Sequence, residues 1–292
     1  GYLDDAPEIF KQIKDDMIMN KSAIKNFAIW ARNKLIADIT YKAGLVGITK
    51  DGIKAPLPQS TKDMAFFDIG MTKPSAVSGK ALEQRRRLVK HIEDKAAASG
   101  YKAAYSAVVE ETAYTWFNRL IAVRFMEVND YLPSHIRVLS SGSETKLEPD
   151  LVTTPFDAGL AFTDTDKADI LALKEENDVD GLFRMLFIKQ CNALNAILPK
   201  LFEKTEDYTE LLLNVSVTDK DGVVYRLVHD IPEEDFNIRN IGEDGKPTGQ
   251  VEIIGWLYQY YNTEPKADTF ALLKKNVKIT KERIPAATQL FT

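Results

Sequence analysis

The amino-acid sequence predicts a mainly α-helical, multi-helix globular domain with one or two small β-hairpins. Two observations carry this prediction. Apolar residues recur at helical spacing over long stretches, and the alternating strand and helix signals of a parallel α/β sheet are missing. The chain has 292 residues, of which 45% are hydrophobic and 28% charged, so it is long and apolar enough to bury a substantial core.

Composition excludes several classes of protein. No apolar run approaches the roughly 18 residues of a membrane span, and no secretory signal opens the chain. The single cysteine, Cys191, excludes an internal disulfide, favours a cytoplasmic location and lies in an apolar helical run typical of a core residue. His91, His135 and His229 are far apart, so no metal site is predicted. A net charge of −5 disfavours a basic field over the whole molecule.

The stretch Thr112–Leu132 predicts the central helix. It contains no glycine or proline, and its apolar residues cover most of the circumference of a helical wheel, which is typical of a helix surrounded by other elements. Arg124 falls inside the apolar sector, with Glu127 one turn later. Because an unpaired buried charge is very costly, we expect these two residues to be buried and to tie neighbouring segments together. A ligand-binding role is the alternative.

Before this helix, the chain divides into five segments. Residues 1–18 form a short acidic amphipathic segment, and a helix is predicted from an N-cap at Ser22 to Gly44. A small hairpin with an Asp-Gly turn follows over 45–57, then an irregular connection over 58–79. A further helix is predicted over 80–98.

After the central helix, a possible sub-boundary falls near 133–165, and a short strand is predicted in this region. The remaining predictions, in chain order, are the strand at 135–141, helices at 166–176, 180–203, 207–213 and 221–230, an acidic loop at 231–249, an aromatic helix at 251–262 and a basic helix around 274–283.

Two groups of basic residues are candidates for contacts with nucleic-acid phosphates. Residues 80–102 hold seven lysines and arginines against three acids, a local net charge of +4. Such a run of basic residues usually forms a solvated helix face, and contact with phosphates is the alternative. The candidate DNA-binding residues are Arg85, Arg86, Arg87, Lys90, Lys274 and Lys275.

Two other patterns suggest chemistry more weakly. Glu144-Thr145-Lys146 matches half of a restriction-type nuclease site, but that site requires a strand and this triplet lies in a Gly/Ser loop. Trp256, Tyr258, Tyr260 and Tyr261 offer faces on which bases could stack, although their apolar spacing favours core packing. The motifs of phosphate loops, dinucleotide folds, hydrolase elbows and zinc proteases are absent, so no catalytic residue is predicted.

Four stretches resemble the N-terminal region of the PglX family. These are the adenine-specific DNA methyltransferases of BREX phage-defence systems, which are related to methyltransferase-type restriction enzymes. The resemblance runs from Met19 to Thr292 and is carried by YTWFNRLIAVRFMEVNDYLPSHIRVLSS (114–141), IPEEDF (231–236), VEIIGWLYQYYN (251–262) and IPAATQLFT (284–292).

The resemblance implies three segments. Residues 1–18 are an extension of unassigned origin, 19–283 are the N-terminal helical domain, and 284–292 begin the lead-in to a methyltransferase core that this chain lacks. In the family this lead-in approaches S-adenosylmethionine, so Phe291 and Thr292 are expected at the edge of the cofactor site. The motifs that bind the cofactor and the flipped adenine would lie downstream. The chain alone is therefore expected to bind no cofactor and to be inactive.

Two roles then remain open. The chain either helps to position duplex DNA on the downstream core, or it acts as a scaffold that packs on that core or on other BREX proteins without touching DNA. The implied partners of the parent protein are double-stranded DNA, the methyltransferase core and other BREX proteins, with no membrane. A nuclease domain is the remaining alternative.

Overall fold

The computed structural model describes residues 6–203 and 207–275, and the predicted mainly α-helical class is confirmed. The helices are α1 (Ala6–Leu45), α2 (Gly79–Ser99), α3 (Tyr101–Val128), α4 (Asp150–Thr153), α5 (Asp164–Glu175), α6 (Val179–Leu194), α7 (Asp207–Leu211), α8 (Val223–His229), α9 (Glu233–Phe236), α10 (Glu252–Tyr261) and α11 (Thr263–Lys274), with a short 3-10 helix at Pro155–Ala158. The strands are β1 (Ile48–Thr49), β2 (Gly52–Ile53), β3 (Met64–Phe67) and β4 (Ser75–Ser78).

The first helix is longer than predicted. Ser22 is an exposed residue inside α1 rather than its N-cap, because no glycine or proline interrupts the chain from Glu8 to Ala43. The helix ends just after Gly44, and the left-handed residue is Gly47, with φ of 73°. A Cβ atom on Gly47 would lie 3.1 Å from side-chain atoms of Lys54 and Phe67, so this turn favours glycine for both conformation and space.

Two antiparallel hairpins follow α1. The predicted hairpin is confirmed, with Ile48 paired to Ile53 and Thr49 to Gly52. The second hairpin, β3–β4, occupies the region predicted to be irregular. Its four-residue strands are too short to stand out in the sequence, although Ala65 and Phe67 alternate inward as a strand requires.

The third helix is the centre of the core. It begins at Tyr101, one residue after the Gly100 break, rather than at Thr112, and it ends at Val128 rather than Leu132. Its buried residues lie on all sides, and it packs against α1, α2, α9 and α10. Trp116 is fully buried, and its indole Nε1 donates a hydrogen bond to the Thr209 carbonyl at 3.0 Å.

The strand predicted at 135–141 is wrong. This segment is irregular, and its backbone amides at Val138 and Leu139 donate to the carboxylate of Glu127 instead of to a neighbouring strand. A buried amide must find an acceptor, and here a side chain provides it.

From residue 164 to 261 the helices follow the predicted order with changed lengths, and α11, which was not predicted there, comes after them. Helix α6 stops at Leu194, nine residues before the predicted end, and turns fill the segment that contains Pro199. The predicted loop at 231–249 contains the short helix α9. Cys191 is buried, and burial raises the pKa of its thiol to about 12, as expected for a core residue. The basic helix predicted around 274–283 lies mostly outside the described residues, as does the lead-in at 284–292.

Candidate functional site

Arg124 and Glu127 form a buried ion pair on α3. The Arg124 side chain is 1% exposed, and its Nη1 donates to Glu127 Oε1 at 2.8 Å and to Ser140 Oγ at 3.1 Å. Its Nη2 lies 3.3 Å from Glu233 Oε2 on α9. The guanidinium thus joins the central helix to the segment that follows it and to α9, 109 residues along the chain, and the two carboxylates offset its buried charge.

Glu127 organises the segment that follows α3. Its Oε2 accepts hydrogen bonds from the amides of Val138 at 2.7 Å and Leu139 at 2.8 Å, and its Oε1 accepts from Ser140 Oγ at 2.9 Å. With Arg124, this carboxylate has four partners. A buried charge is tolerated only when hydrogen bonds replace its lost water, and here they do.

Glu233 completes the group, which we call the ionic network: Arg124, Glu127, Arg137, Ser140 and Glu233. Arg137 donates both terminal nitrogens to the Glu233 carboxylate, each at 2.7 Å. These hydrogen bonds from Arg137 hold the pKa of Glu233 below its usual value against the opposing effect of burial, and Arg124 adds to the lowering. Two arginines face two glutamates, so the network is formally neutral.

The lowered pKa of Glu233 gives a pH prediction. Because the folded pKa lies below the ordinary 4.5, the ionised carboxylate contributes stability that is complete above about pH 4.5 and is lost as the pH falls through the folded value. The difference in free energy of unfolding between wild type and Glu233→Gln should therefore shrink on acidification. Urea unfolding from pH 3 to 7 measures it. The exposed Glu148→Gln variant should show no such change, and a Glu233→Gln difference that is constant with pH would contradict this account.

A cavity of about 230 Å³ lies beside the ionic network. Arg124, Arg137 and Glu233 line it together with residues of the loop that holds Glu144 and Lys146. Glu144-Thr145-Lys146 lies in this irregular loop and not on a strand, so the context of a nuclease site is missing here. Within 6–203 and 207–275, no three histidine, cysteine or acidic residues are grouped to hold a metal ion.

Arg85 faces inward on α2 and is not available to a phosphate. Its side chain donates to the carbonyls of Val46 at 2.6 Å and Lys54 at 2.9 Å, and the guanidinium carbon lies 3.8 Å from the centre of the Phe67 ring. Burial lowers the pKa of Arg85 to about 10, which leaves it charged at neutral pH. This arginine fixes α2 to the first hairpin.

Arg86, Arg87 and Lys90 are exposed on the outer face of α2, but acids lie among them. Arg86 pairs with Glu83 and also donates to the Lys62 carbonyl at 3.2 Å. Lys90 pairs with Asp94 at 2.7 Å, and this hydrogen bond raises the pKa of the lysine. The face therefore carries both signs of charge, as solvated helix faces usually do.

The other predicted binding residues are on separate elements. Lys274 and Lys275 are exposed at the end of α11, which packs on α10, whereas α2 packs on α3 and α7. Phe291 and Thr292 lie outside the described residues. The two basic groups therefore lie on elements with different packing partners.

The aromatic residues of α10 are mostly used for packing. Tyr261 is buried against Phe117, with ring centres 4.4 Å apart, and both Tyr258 and Tyr261 meet the edge or face of Tyr114. Trp256 is half-buried, and the Lys21 Nζ atom lies 4.8 Å from its ring centre. Core packing is therefore the main use of this helix.

Sequence reasoning missed three members of the ionic network: Arg137, Ser140 and Glu233. Arg137 and Glu233 are 96 residues apart, and nothing in the local pattern of either segment indicates that they meet. The only indication of the network in the sequence was that a buried Arg124 requires an acidic partner. Glu127, one turn later, satisfies that requirement by itself, so the sequence did not indicate a second acid.

Comparison with known proteins identifies the relatives of this chain. No protein-family model matches it. It is 46% identical over 281 residues, 94% of its length, to the adenine-specific methyltransferase PglX of Lacticaseibacillus casei (strain Zhang). The predicted resemblance to PglX is confirmed. The chain is also 36% identical over the same share of its length to the adenine-specific methyltransferase BrxX of Escherichia coli O9:H4 (strain HS).

The match covers only a part of each relative. The chain spans 22% of the length of the PglX protein and 20% of that of BrxX, so about a fifth of each curated relative is represented.

Among the described helices, none is both long and apolar enough to cross a membrane.

Proposed function

We propose that this chain is a non-catalytic scaffold region of an adenine-specific, S-adenosylmethionine-dependent DNA methyltransferase of a BREX phage-defence system. One observation carries the proposal: 94% of the chain aligns at 46% identity with part of the adenine-specific methyltransferase PglX. The sequence itself lacks the glycine-rich cofactor loop and the pocket motif for a flipped adenine, so methyl transfer belongs to the rest of the parent protein. A cytoplasmic location follows from this function.

The scaffold role is supported by how the core is built. Helix α3 is enclosed by α1, α2, α9 and α10. Its polar residues Arg124 and Glu127 form the ion pair and hydrogen bonds that hold neighbouring segments in place. A closely packed domain of this kind suits a region that presents surfaces to a catalytic core and to other BREX proteins.

A weaker, DNA-positioning role is proposed for the outer face of α2. Its cations are Arg86, Arg87 and Lys90. The exposed Lys62 lies beside them, since its backbone carbonyl accepts a hydrogen bond from Arg86. Arg85 is excluded from this set by its burial. Glu83 and Asp94 lower the net charge of the face, so its contact with phosphates should be weak and strongly salt-dependent.

Titration of the chain against labelled duplex DNA at several salt concentrations tests this role. If all three cations contact phosphates, Arg86→Gln/Arg87→Gln/Lys90→Gln should reduce the slope of log affinity against log salt by about 2–3. The matched control is Lys174→Gln/Lys220→Gln/Lys246→Gln, which removes three exposed charges from other elements.

The outcomes separate the two functions. Equal losses in both triple variants, or no binding even at low salt, would contradict the DNA-positioning role and leave a protein-interaction module without DNA contact. In the full-length parent methyltransferase, the α2 variant should raise the DNA concentration at half-maximal rate and leave the maximal rate unchanged.

A further inference from the structure

A second cavity, of about 200 Å³, lies where α1, α10 and the 235–250 segment meet. Among its lining residues are Lys21, Asp235, Gln250 and Trp256. One wall is held rigidly, because the Gly249 amide donates to the Asn237 carbonyl at 2.7 Å and the Gln250 amide donates to the Asp235 carbonyl at 3.3 Å. A Cβ atom on Gly249 would lie 2.6 Å from the Asn237 nitrogen, so only glycine allows this close approach.

One carboxyl oxygen of Asp235 lacks a donor. Its Oδ2 atom is buried and makes no hydrogen bond within the described part of the chain. Burial, together with neighbouring Glu234, raises the pKa of this carboxyl group. Buried carboxylate oxygens almost always have partners, and Asp235 is one of the residues that line this cavity, so the cavity is the side from which a donor outside the chain would reach its carboxyl group.

The indole of Trp256 supplies the second feature. The Lys21 Nζ atom lies over its ring, 4.8 Å from the centre, in the position of a cation–π contact. Lys21 is an exposed residue, and its ammonium is on the ring rather than on the Asp235 carboxylate. The ring face thus already carries an ammonium group supplied by the chain itself.

We propose that this cavity binds the ammonium group of a small alkylamine, with Asp235 accepting its hydrogen bonds and Trp256 covering its charge. In the free protein the Lys21 ammonium occupies the cation position over the Trp256 ring, and it competes with the ligand for that position. The cavity is smaller than the roughly 300–1,000 Å³ that drug-sized ligands occupy, so it takes one alkylammonium end and not a nucleotide. This binding site is independent of the methyltransferase function proposed above.

Calorimetric titration of the full chain with putrescine, at fixed ionic strength, tests the proposal. Lys21→Met should bind putrescine about tenfold more tightly than wild type, because the competing cation–π contact is gone. Asp235→Asn should bind at least about tenfold more weakly, because the amide cannot supply the charge. Each has a matched control: Lys25→Met removes an exposed lysine one turn along α1, and Glu252→Gln removes an exposed acid on α10.

Both controls should bind putrescine as wild type does. The far-ultraviolet circular dichroism spectrum and melting temperature of each variant establish that it is folded. Binding that falls equally in Asp235→Asn and Glu252→Gln would show a non-specific attraction of an acidic protein for cations and overturn the proposal. An absence of binding in both wild type and folded Lys21→Met would overturn it as well.

Discussion

Replacing Glu127 by alanine should lower the free energy of unfolding by about 3–5 kcal/mol, the usual cost of removing one partner of a buried ion pair. The side chain is 0% exposed, and its loss would leave the Arg124 guanidinium without its nearest carboxylate. The amides of Val138 and Leu139 would also lose their acceptor. Urea unfolding at pH 7 measures the change.

The exposed Glu148→Ala variant is the matched control and should change stability by less than about 0.5 kcal/mol. Adding Arg124→Leu to Glu127→Ala should cost less than the sum of the two single changes, because the uncompensated cation is then removed as well. Strict additivity of the two effects would mean that the ion pair does not couple these residues, contrary to the geometry.

Replacing Trp116 by alanine should cost about 3–5 kcal/mol, as truncation of a large buried aromatic side chain usually does. The indole is fully buried on α3, its ring centre is 5.9 Å from that of Phe187 on α6, and its Nε1 bonds the Thr209 carbonyl of α7. The cavity left behind would therefore touch three helices. Thermal and urea unfolding, followed by circular dichroism, would report the loss.

Trp116→Phe separates the two contributions to this cost. It keeps most of the apolar volume but leaves the Thr209 carbonyl without the indole donor, which should cost about 1–3 kcal/mol. A phenylalanine variant as unstable as the alanine variant would show that the hydrogen bond, and not the packing, dominates. Full stability of the alanine variant would contradict the central place assigned to α3.

The long helices could be predicted from the sequence because apolar periodicity is a local signal. The central helix was recognisable from its apolar circumference, and the burial of Arg124 followed from its position within that pattern. Helix lengths were less accurate. Ser22 has the chemistry of an N-cap, but a serine inside a long run of helix-forming residues can equally face solvent.

Contacts between distant segments could not be predicted in this way. Arg85 belongs to a run of three arginines, and only the fold shows that it alone turns inward, toward carbonyls 39 and 31 residues earlier in the chain. Glu233 likewise meets Arg124 across 109 residues. A single sequence gives the charge of a residue but not the identity of the distant residue that pairs with it in the fold. The roles of Lys274, Lys275, Phe291 and Thr292 stay predictions.

The length of α1 has a mechanical consequence. A continuous helix of 40 residues, rising about 1.5 Å per residue, is a rod about 60 Å long. With no glycine or proline between Glu8 and Ala43, it has no built-in hinge, so a tilt of about 5° at one end displaces the other by about 5 Å. Lys21 lies along this rod, and the first hairpin packs against it. Because one unbroken helix joins Lys21 to the hairpin, a change of its tilt at the cavity would also displace the hairpin end.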